Sequence, residues 1–234
     1  MDQRTNDAAL EALRALDTPT VCNALELVSP VHRLSGYNTR PLHCTRPHLP
    51  PMVGYARTVT IRSEINHQRP PEEFRRVLHE YYSYIEAGPR PSVIVVQDLD
   101  ETVGQGSFWG EVFTNVHKGL GAIGAVTNGS VRDLDDNAEG FQILAGMVLP
   151  SHAWVHVTGW GSDVKIHGMA VSHGDIIHAD KHGAVVVPHD IADKVAEAAA
   201  LISRRERVLI TAAQTTGFTA DKFREAMETA AKTS

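Results

Sequence analysis

The chain has 234 residues, 42% of them hydrophobic and 21% charged, the make-up of a globular protein that can bury a core in one domain or a compact pair. A net charge of -6 and a pI near 6.1 supply no basic field for phosphate backbones, and no apolar run approaches a membrane span, so neither nucleic acid nor membrane is expected as a partner. Cys22 and Cys44 are too few for a disulfide framework and lack metal-ligand spacing, and the start "MDQRTNDAAL" has neither segment of a secretory signal, so free thiols in a cytoplasmic protein are expected.

In "DTPTVCNALEL", Asp17 or Thr18 can cap a helix with Pro19 in its first turn. Residues 29–51 hold prolines and histidines without period and read as irregular. A β-rich stretch covers 53–62. Phe74, Val77, Leu78, Tyr81, Tyr82 and Ile85 then recur at the spacing of one helical face, which predicts an amphipathic helix over 72–87. "PSVIVVQD" reads as a buried strand ending at Asp98, and "GSFWGEVFTNVHKGLG" as a helix from about Trp109, followed by the strand "AIGAVTN". Asn128-Gly129 is expected to turn the chain, and Arg132 and Asp133 to open another helix. A β-rich zone from Met147 to Val187 is punctuated at "IHGMA", "SHGD" and "DKHGAVVVP". From Asp190 the chain reads as helical, with Ile191, Val195, Ala198, Ile202 and Leu209 on one face, Arg204-Arg205 beside Glu206 on a solvated one, and a shorter helix from near Thr219. No internal repeat interrupts this order. It predicts a single mixed α/β domain with a helical N-terminal segment over 7–28, a core over 53–188 and C-terminal helices over 190–231.

Three stretches tempt a chemical reading. Gly119-x-Gly121-x-x-Gly124 spells a dinucleotide fingerprint, but that fingerprint needs a strand before the glycines and a helix after them. Here the order is reversed, so the glycines are expected to end a helix and permit tight packing. Thirteen histidines, above all His152 and His156, which would share a face on a strand, suggest zinc, yet neither His-Glu-x-x-His nor a paired Cys element is present. "TNGSVRDLDD" places Arg132 and Asp133 where a buried strand ends, the position at which ligands gather in α/β sheets. Arg132 could grip a carboxylate and Asp133 a hard cation. Equally, Asp133 could cap a helix and Arg132 pair with Asp136; from the residues alone both readings stand.

The ordered set "VVQD", "WGE", "GAIGAVTNGSVRD" and "GDIIHADKHGAVVVP", with weaker matches in "TPTVCNALE" and "GYARTV", resembles the RraA-like family of metal-dependent 4-hydroxy-4-methyl-2-oxoglutarate/4-carboxy-4-hydroxy-2-oxoadipate aldolases and regulators of ribonuclease E. Glu111, twenty residues and then Arg132-Asp133 resemble the acid-x20-Arg-Asp signature of the aldolase branch. The resemblance implies an α/β/β sandwich, a central β-structure flanked by helices, assembled as a homotrimer or dimer of trimers with sites between subunits. It also implies a class II aldolase using Mg²⁺ or Mn²⁺ to cleave a 2-oxo acid to pyruvate, with oxaloacetate decarboxylation as a side activity. On this basis Asp133 is the direct metal ligand, Arg132 binds the pyruvoyl end, and Glu111 holds a metal-associated water. The N–H groups of Val112 and Phe113 after Gly110 cradle the substrate carboxylate. Glu206 of a neighbouring subunit reaches the metal through water. Asn23 departs from the Asp of many relatives. The alternative is a non-catalytic member that modulates a protein partner.

Overall fold

The computed structural model describes residues 7–234. Within them an eight-stranded mixed sheet curls into a half-barrel. Its order is β1 (His43–Cys44), β5 (Gln142–Val148), β4 (Ala122–Val131), β3 (Ser92–Asp98), β2 (Met52–Arg62), β9 (Ile176–Asp180) and β10 (Gly183–Val187). A further strand, β6 (His156–Trp160), pairs with the C-terminal half of β2 on the edge whose N-terminal half takes β9. Strands β2 to β5 run parallel. Val93, Ile94, Val95 and Val96 are wholly buried, the unbroken apolar run expected of a parallel strand covered on both faces.

Three groups of side chains cover this sheet. Helices α3 (Pro71–Glu86) and α4 (Glu111–Gly119) lie over one part, where Tyr81, Ile85, Phe108, Trp109 and Phe141 form the core. The hairpin β7 (Val164–Ile166) and β8 (Met169–Val171) packs its apolar residues on Met52, Val95, Val126 and Leu144. Helices α1 (Asp7–Arg14), α2 (Thr18–Val28) and α5 (Ala192–Ala213) close the remaining side through Leu10, Leu13, Val21, Leu25 and Val195. The last helix, α6 (Ala220–Lys232), lies along α5. This is the mixed α/β architecture with C-terminal helices that the sequence implies. No helix of the described residues is long and apolar enough to cross a membrane.

Several local expectations are corrected. Strand β4 does not turn at Asn128-Gly129 but continues to Val131, with its register against β5 shifting between Thr127 and Ser130. The Asn128 amide makes this possible by acting as a strand partner: it accepts from the Asp98 N–H at 2.8 Å and donates to the Asp98 carbonyl at 3.0 Å. No helix opens at Arg132; residues 132–140 form turns, and Asp133 sits at φ +52°, a left-handed conformation that Asp tolerates better than most residues. Strand β5 begins at Gln142, ahead of the β-rich zone expected from Met147, and β1 lies inside the segment expected to be irregular. Arg204 and Arg205 are not simply solvated: their Nε groups donate to the carbonyls of Ser234 and Thr233 at 3.0 and 3.1 Å. The glycine-rich stretch joins helix to strand as expected, with Gly121 at φ +96° in the connection.

Candidate active site at the end of the fourth strand

The carboxyl end of β4 delivers Arg132 and Asp133 next to the first turn of α4. Trp109 forms a parallel bridge with Val131, and the Arg132 N–H donates to the Trp109 carbonyl at 2.9 Å, so residues 109–111 run beside the strand end. The Asp133 carboxylate then reaches α4: its Oδ2 accepts the Glu111 N–H at 3.2 Å and stands 3.6 Å from Arg132 Nε. Gly110 matters here through space, since its backbone is extended at φ -166°. A Cβ at that position would meet Asp133 Oδ2 at 2.6 Å and Arg132 at 3.3 Å, so only glycine lets the carboxylate approach.

The helix start is left open. Gly110 provides no side-chain cap, and among the described residues neither the Val112 nor the Phe113 N–H has an acceptor, while the Thr114 N–H donates to the Gly110 carbonyl at 3.0 Å. Unpaired N–H groups at a helix start combine with the helix dipole to favour an anion. Around them Glu111 and Val112 are exposed, and Arg132 and Asp133 are about one-third exposed. Asp133 Oδ1 accepts no hydrogen bond from the described residues. The face therefore combines two free donors, a guanidinium and a half-used carboxylate, a set suited to an anionic ligand and a hard cation that keeps much of its water.

Buried polar groups brace this surface from behind. The His117 Nδ1–H donates to the Phe113 carbonyl at 2.7 Å, so Nε2 accepts from the Tyr81 hydroxyl at 2.6 Å, and burial pushes the imidazole pKa down to about 4. Asp98, at the end of β3, accepts the N–H groups of Asp100 and Gly104 at 3.0 and 2.7 Å, fixing the loop that leads to Trp109; burial raises its pKa. Asp100 accepts from the Ser63 backbone and hydroxyl and from the Glu64 N–H. Burial alone would raise its pKa, but these bonds outweigh it and hold the carboxyl below the usual range. In the sequence Asp98 reads only as the end of a buried strand, and the bonds it and Asp100 make to residues 63–64 and 100–104 have no local signal.

Of the residues singled out in the sequence, Gly110, Glu111, Val112, Phe113, Arg132 and Asp133 thus come together. Glu206 does not join them within one chain; it is exposed on α5, which packs chiefly on α1, α2 and α6. Asn23 is exposed on α2. His152 and His156 do not share a strand face: His152 is exposed in the turn before β6, and each Nδ1 faces a local carbonyl, Ala153 at 2.7 Å and Trp154 at 2.8 Å. No group of three or more His, Cys, Asp or Glu able to hold a metal occurs among the described residues.

Residues 18–186 match the model of the RraA-like family, Aldolase/RraA. Protein DlpA of Legionella pneumophila is 28% identical over 162 residues, 67% of this chain and 25% of that protein, so the chain spans about a quarter of that relative's length. Among solved structures, a protein of Pseudomonas syringae pv. tomato superposes with a TM-score of 0.73 at 23% identity, covering 98% of this chain and 97% of the other. Streptomyces coelicolor RraAS2, described as an unusual member of the RNase ES inhibitor RraA protein family, gives a TM-score of 0.63 at 22% identity over 87% and 96% of the two chains. At those identities the structures speak for the fold alone. The family match spans most of the chain and includes the strand end and helix start just described: the protein belongs to the RraA-like family, which holds both aldolases and non-catalytic regulators.

Proposed function

We propose that this protein is a divalent-cation-dependent carbon–carbon lyase that cleaves a 4-hydroxy-2-oxo acid to pyruvate and decarboxylates oxaloacetate as a side reaction. The observation that carries this reading is the open start of α4, where two unpaired N–H groups lie beside Arg132 and the half-used carboxylate of Asp133. The Val112 and Phe113 N–H groups and the planar fork of Arg132 bind and orient the carboxylate end of the 2-oxo acid. Asp133 would hold Mg²⁺ or Mn²⁺ through Oδ1, and such an ion supplies positive charge opposite the enolate oxygen that develops. Breaking C3–C4 leaves the electron pair on the pyruvate side as an enolate, C4 becomes a carbonyl, and the 4-hydroxyl proton must leave. Glu111, exposed at the rim, accepts that proton directly or through water and can return it to C3. Oxaloacetate loses CO₂ from the same bond without a hydroxyl proton to remove, so its decarboxylation needs the cradle but not the base.

The site of one chain is an open face. A trimer or dimer of trimers would cover it and bring Glu206 of a neighbouring subunit toward the cation; a cytoplasmic enzyme acting on a small soluble acid fits this reading. The test is pyruvate release by the purified protein. Wild type should act on both substrates with Mg²⁺ or Mn²⁺ and stop with chelator. Glu111→Gln should lose about two to four powers of ten in kcat on the 4-hydroxy acid, with KM little changed and oxaloacetate decarboxylation much less affected. Absence of chelator-sensitive release in the wild type would instead support a regulator acting on a protein partner.

A further inference from the structure

Between the exposed residues Asp136 and Glu139, Asn137 is 3% exposed. It faces inward and meets both sides of the candidate site. Its Nδ2 donates to the Arg132 carbonyl at 3.0 Å, and its backbone N–H donates to the Asp133 carbonyl at 2.9 Å. Its own carbonyl accepts from Arg46 Nη2. Its Oδ1 lies 3.4 Å from the buried hydroxyl of Thr114, which stands 2.9 Å from the carbonyls of both Gly110 and Glu111 and accepts the Ala138 N–H at 3.0 Å. Through the Ala138 N–H on the Thr114 hydroxyl, with the Asn137 amide packed beside it, the turn carrying Arg132 and Asp133 is fastened to the first turn of α4, the turn whose N–H groups are open.

The fastening answers a conformational need. Asp133 is a non-glycine residue at φ +52°, a conformation that Asp tolerates better than most residues but that is less favourable than ordinary backbone and benefits from neighbours that hold it. The two carbonyls flanking that left-handed φ are the ones Asn137 engages, and the 3.2 Å contact from the Glu111 N–H to Asp133 Oδ2 depends on the same alignment. We propose that Asn137, acting with Thr114, is a positioning residue that holds Arg132 and Asp133 toward the ligand; the proposal rests on reading this face as the active site. Among the described residues Asn137 makes no hydrogen bond to the side chains assigned to chemistry and acts through the backbone that carries them.

The test compares wild type with Asn137→Ala and, as a second variant that keeps side-chain shape, Thr114→Val. Three quantities are read on the full chain: amide hydrogen exchange at Glu111 relative to the amides of β3, Mn²⁺ affinity, and kcat for pyruvate release. Exchange at Glu111 should accelerate at least about tenfold while β3 is unchanged, since fastening by these two side chains is local. Mn²⁺ affinity and kcat should each fall about 10- to 100-fold, the range for groups that orient a ligand from behind. Should Asn137→Ala fail to fold, Thr114→Val carries the same readings. Unchanged Glu111 exchange in a folded variant overturns the proposal. If wild type neither binds Mn²⁺ nor releases pyruvate, the functional reading fails separately, and the exchange measurement still decides whether Asn137 holds the turn.

Discussion

Two helices in this fold are capped at their first N–H by an aspartate distant in sequence, Asp180 at the end of β9 and Asp133 in the turn after β4, and they differ in what is left over. At α2 the Thr18 N–H donates to Asp180 Oδ2 at 3.0 Å, the Thr20 N–H to Asp17 Oδ1 at 2.9 Å and the Val21 N–H to the Asp17 carbonyl at 3.0 Å, while Pro19 has no N–H to satisfy. Asp180 also accepts the His182 N–H at 2.8 Å, and beneath it the His178 Nε2–H donates to the carbonyls of Leu13 and Leu16. That start is closed. At α4, Asp133 satisfies the Glu111 N–H and stops there, leaving two donors and one carboxylate oxygen unused on an accessible face. The same device is structural where every group is paired and available to a ligand where half are not, so satisfaction of polar groups separates the two better than residue type does.

The largest expected effect breaks the open member of the pair. Asp133→Asn should bring cation-dependent pyruvate release down to the level of the chelated control, because the amide removes the charge that a hard cation needs. Stability should fall by no more than about 1 kcal/mol, since an amide oxygen can still accept the Glu111 N–H and only the favourable charge at the helix start is lost. Steady-state kinetics beside a urea melt tests both halves. Full turnover in the variant would remove Asp133 from the site.

The closed member should respond in the opposite way. Asp180→Ala strands the buried Thr18 N–H and should cost about 2–3 kcal/mol in a urea melt, with kcat unchanged in the folded protein. The wild-type contribution also has a defined pH window. Burial alone would raise the Asp180 pKa, but hydrogen bonds from His182 and Thr18 outweigh it and hold the carboxylate below its ordinary value of 3.8. The unfolded chain therefore takes up the proton first. The stabilisation is complete above the ordinary value and is lost as pH falls through the lower folded value, so the difference between wild type and Asp180→Ala should shrink there.

Legibility in the sequence follows the same division. Strands β2, β3 and the first part of β4 were readable as β-rich or unbroken apolar runs, and α3 and α5 because their apolar side chains repeat at the helical period, whereas β5 was not legible ahead of Met147. The reversed order around Gly119 and Gly121 sufficed to set the dinucleotide pattern aside. Arg132 and Asp133 read two ways from their own chemistry, and only resemblance to a family selected one; the structure shows why, since Asp133 does cap a helix, but one that begins 22 residues earlier in the chain. Features made by contacts distant in sequence left no local signal. Asn128-Gly129 has turn chemistry, yet the Asn128 amide is occupied by Asp98, 30 residues away, and the strand runs on. Asn137 stands among acids in "RDLDDN" with nothing local to mark it, and two of its partners, Thr114 and Arg46, lie far off in sequence.

The smallest expected effect sharpens the contrast by asking whether the closed start is built with spare partners. His182 Nδ1 lies 3.1 Å from Asp180 Oδ1 and 3.2 Å from Oδ2, but its side chain is 43% exposed, so water competes for both ends of the contact. His182→Ala removes that contact and leaves the two backbone donors, the His182 N–H at 2.8 Å and the Thr18 N–H at 3.0 Å, in place on the carboxylate. The cost should be below about 1 kcal/mol, the range of exposed pairs, and well under that of Asp180→Ala. Combining the two substitutions should add little to Asp180→Ala alone, because without the carboxylate the imidazole has no partner there to lose. A loss from His182→Ala as large as that from Asp180→Ala would show that the imidazole holds the carboxylate in place. The α2 start would then depend on a side-chain tether as the α4 start is proposed to depend on Asn137, and the two would differ only in their remaining free donors.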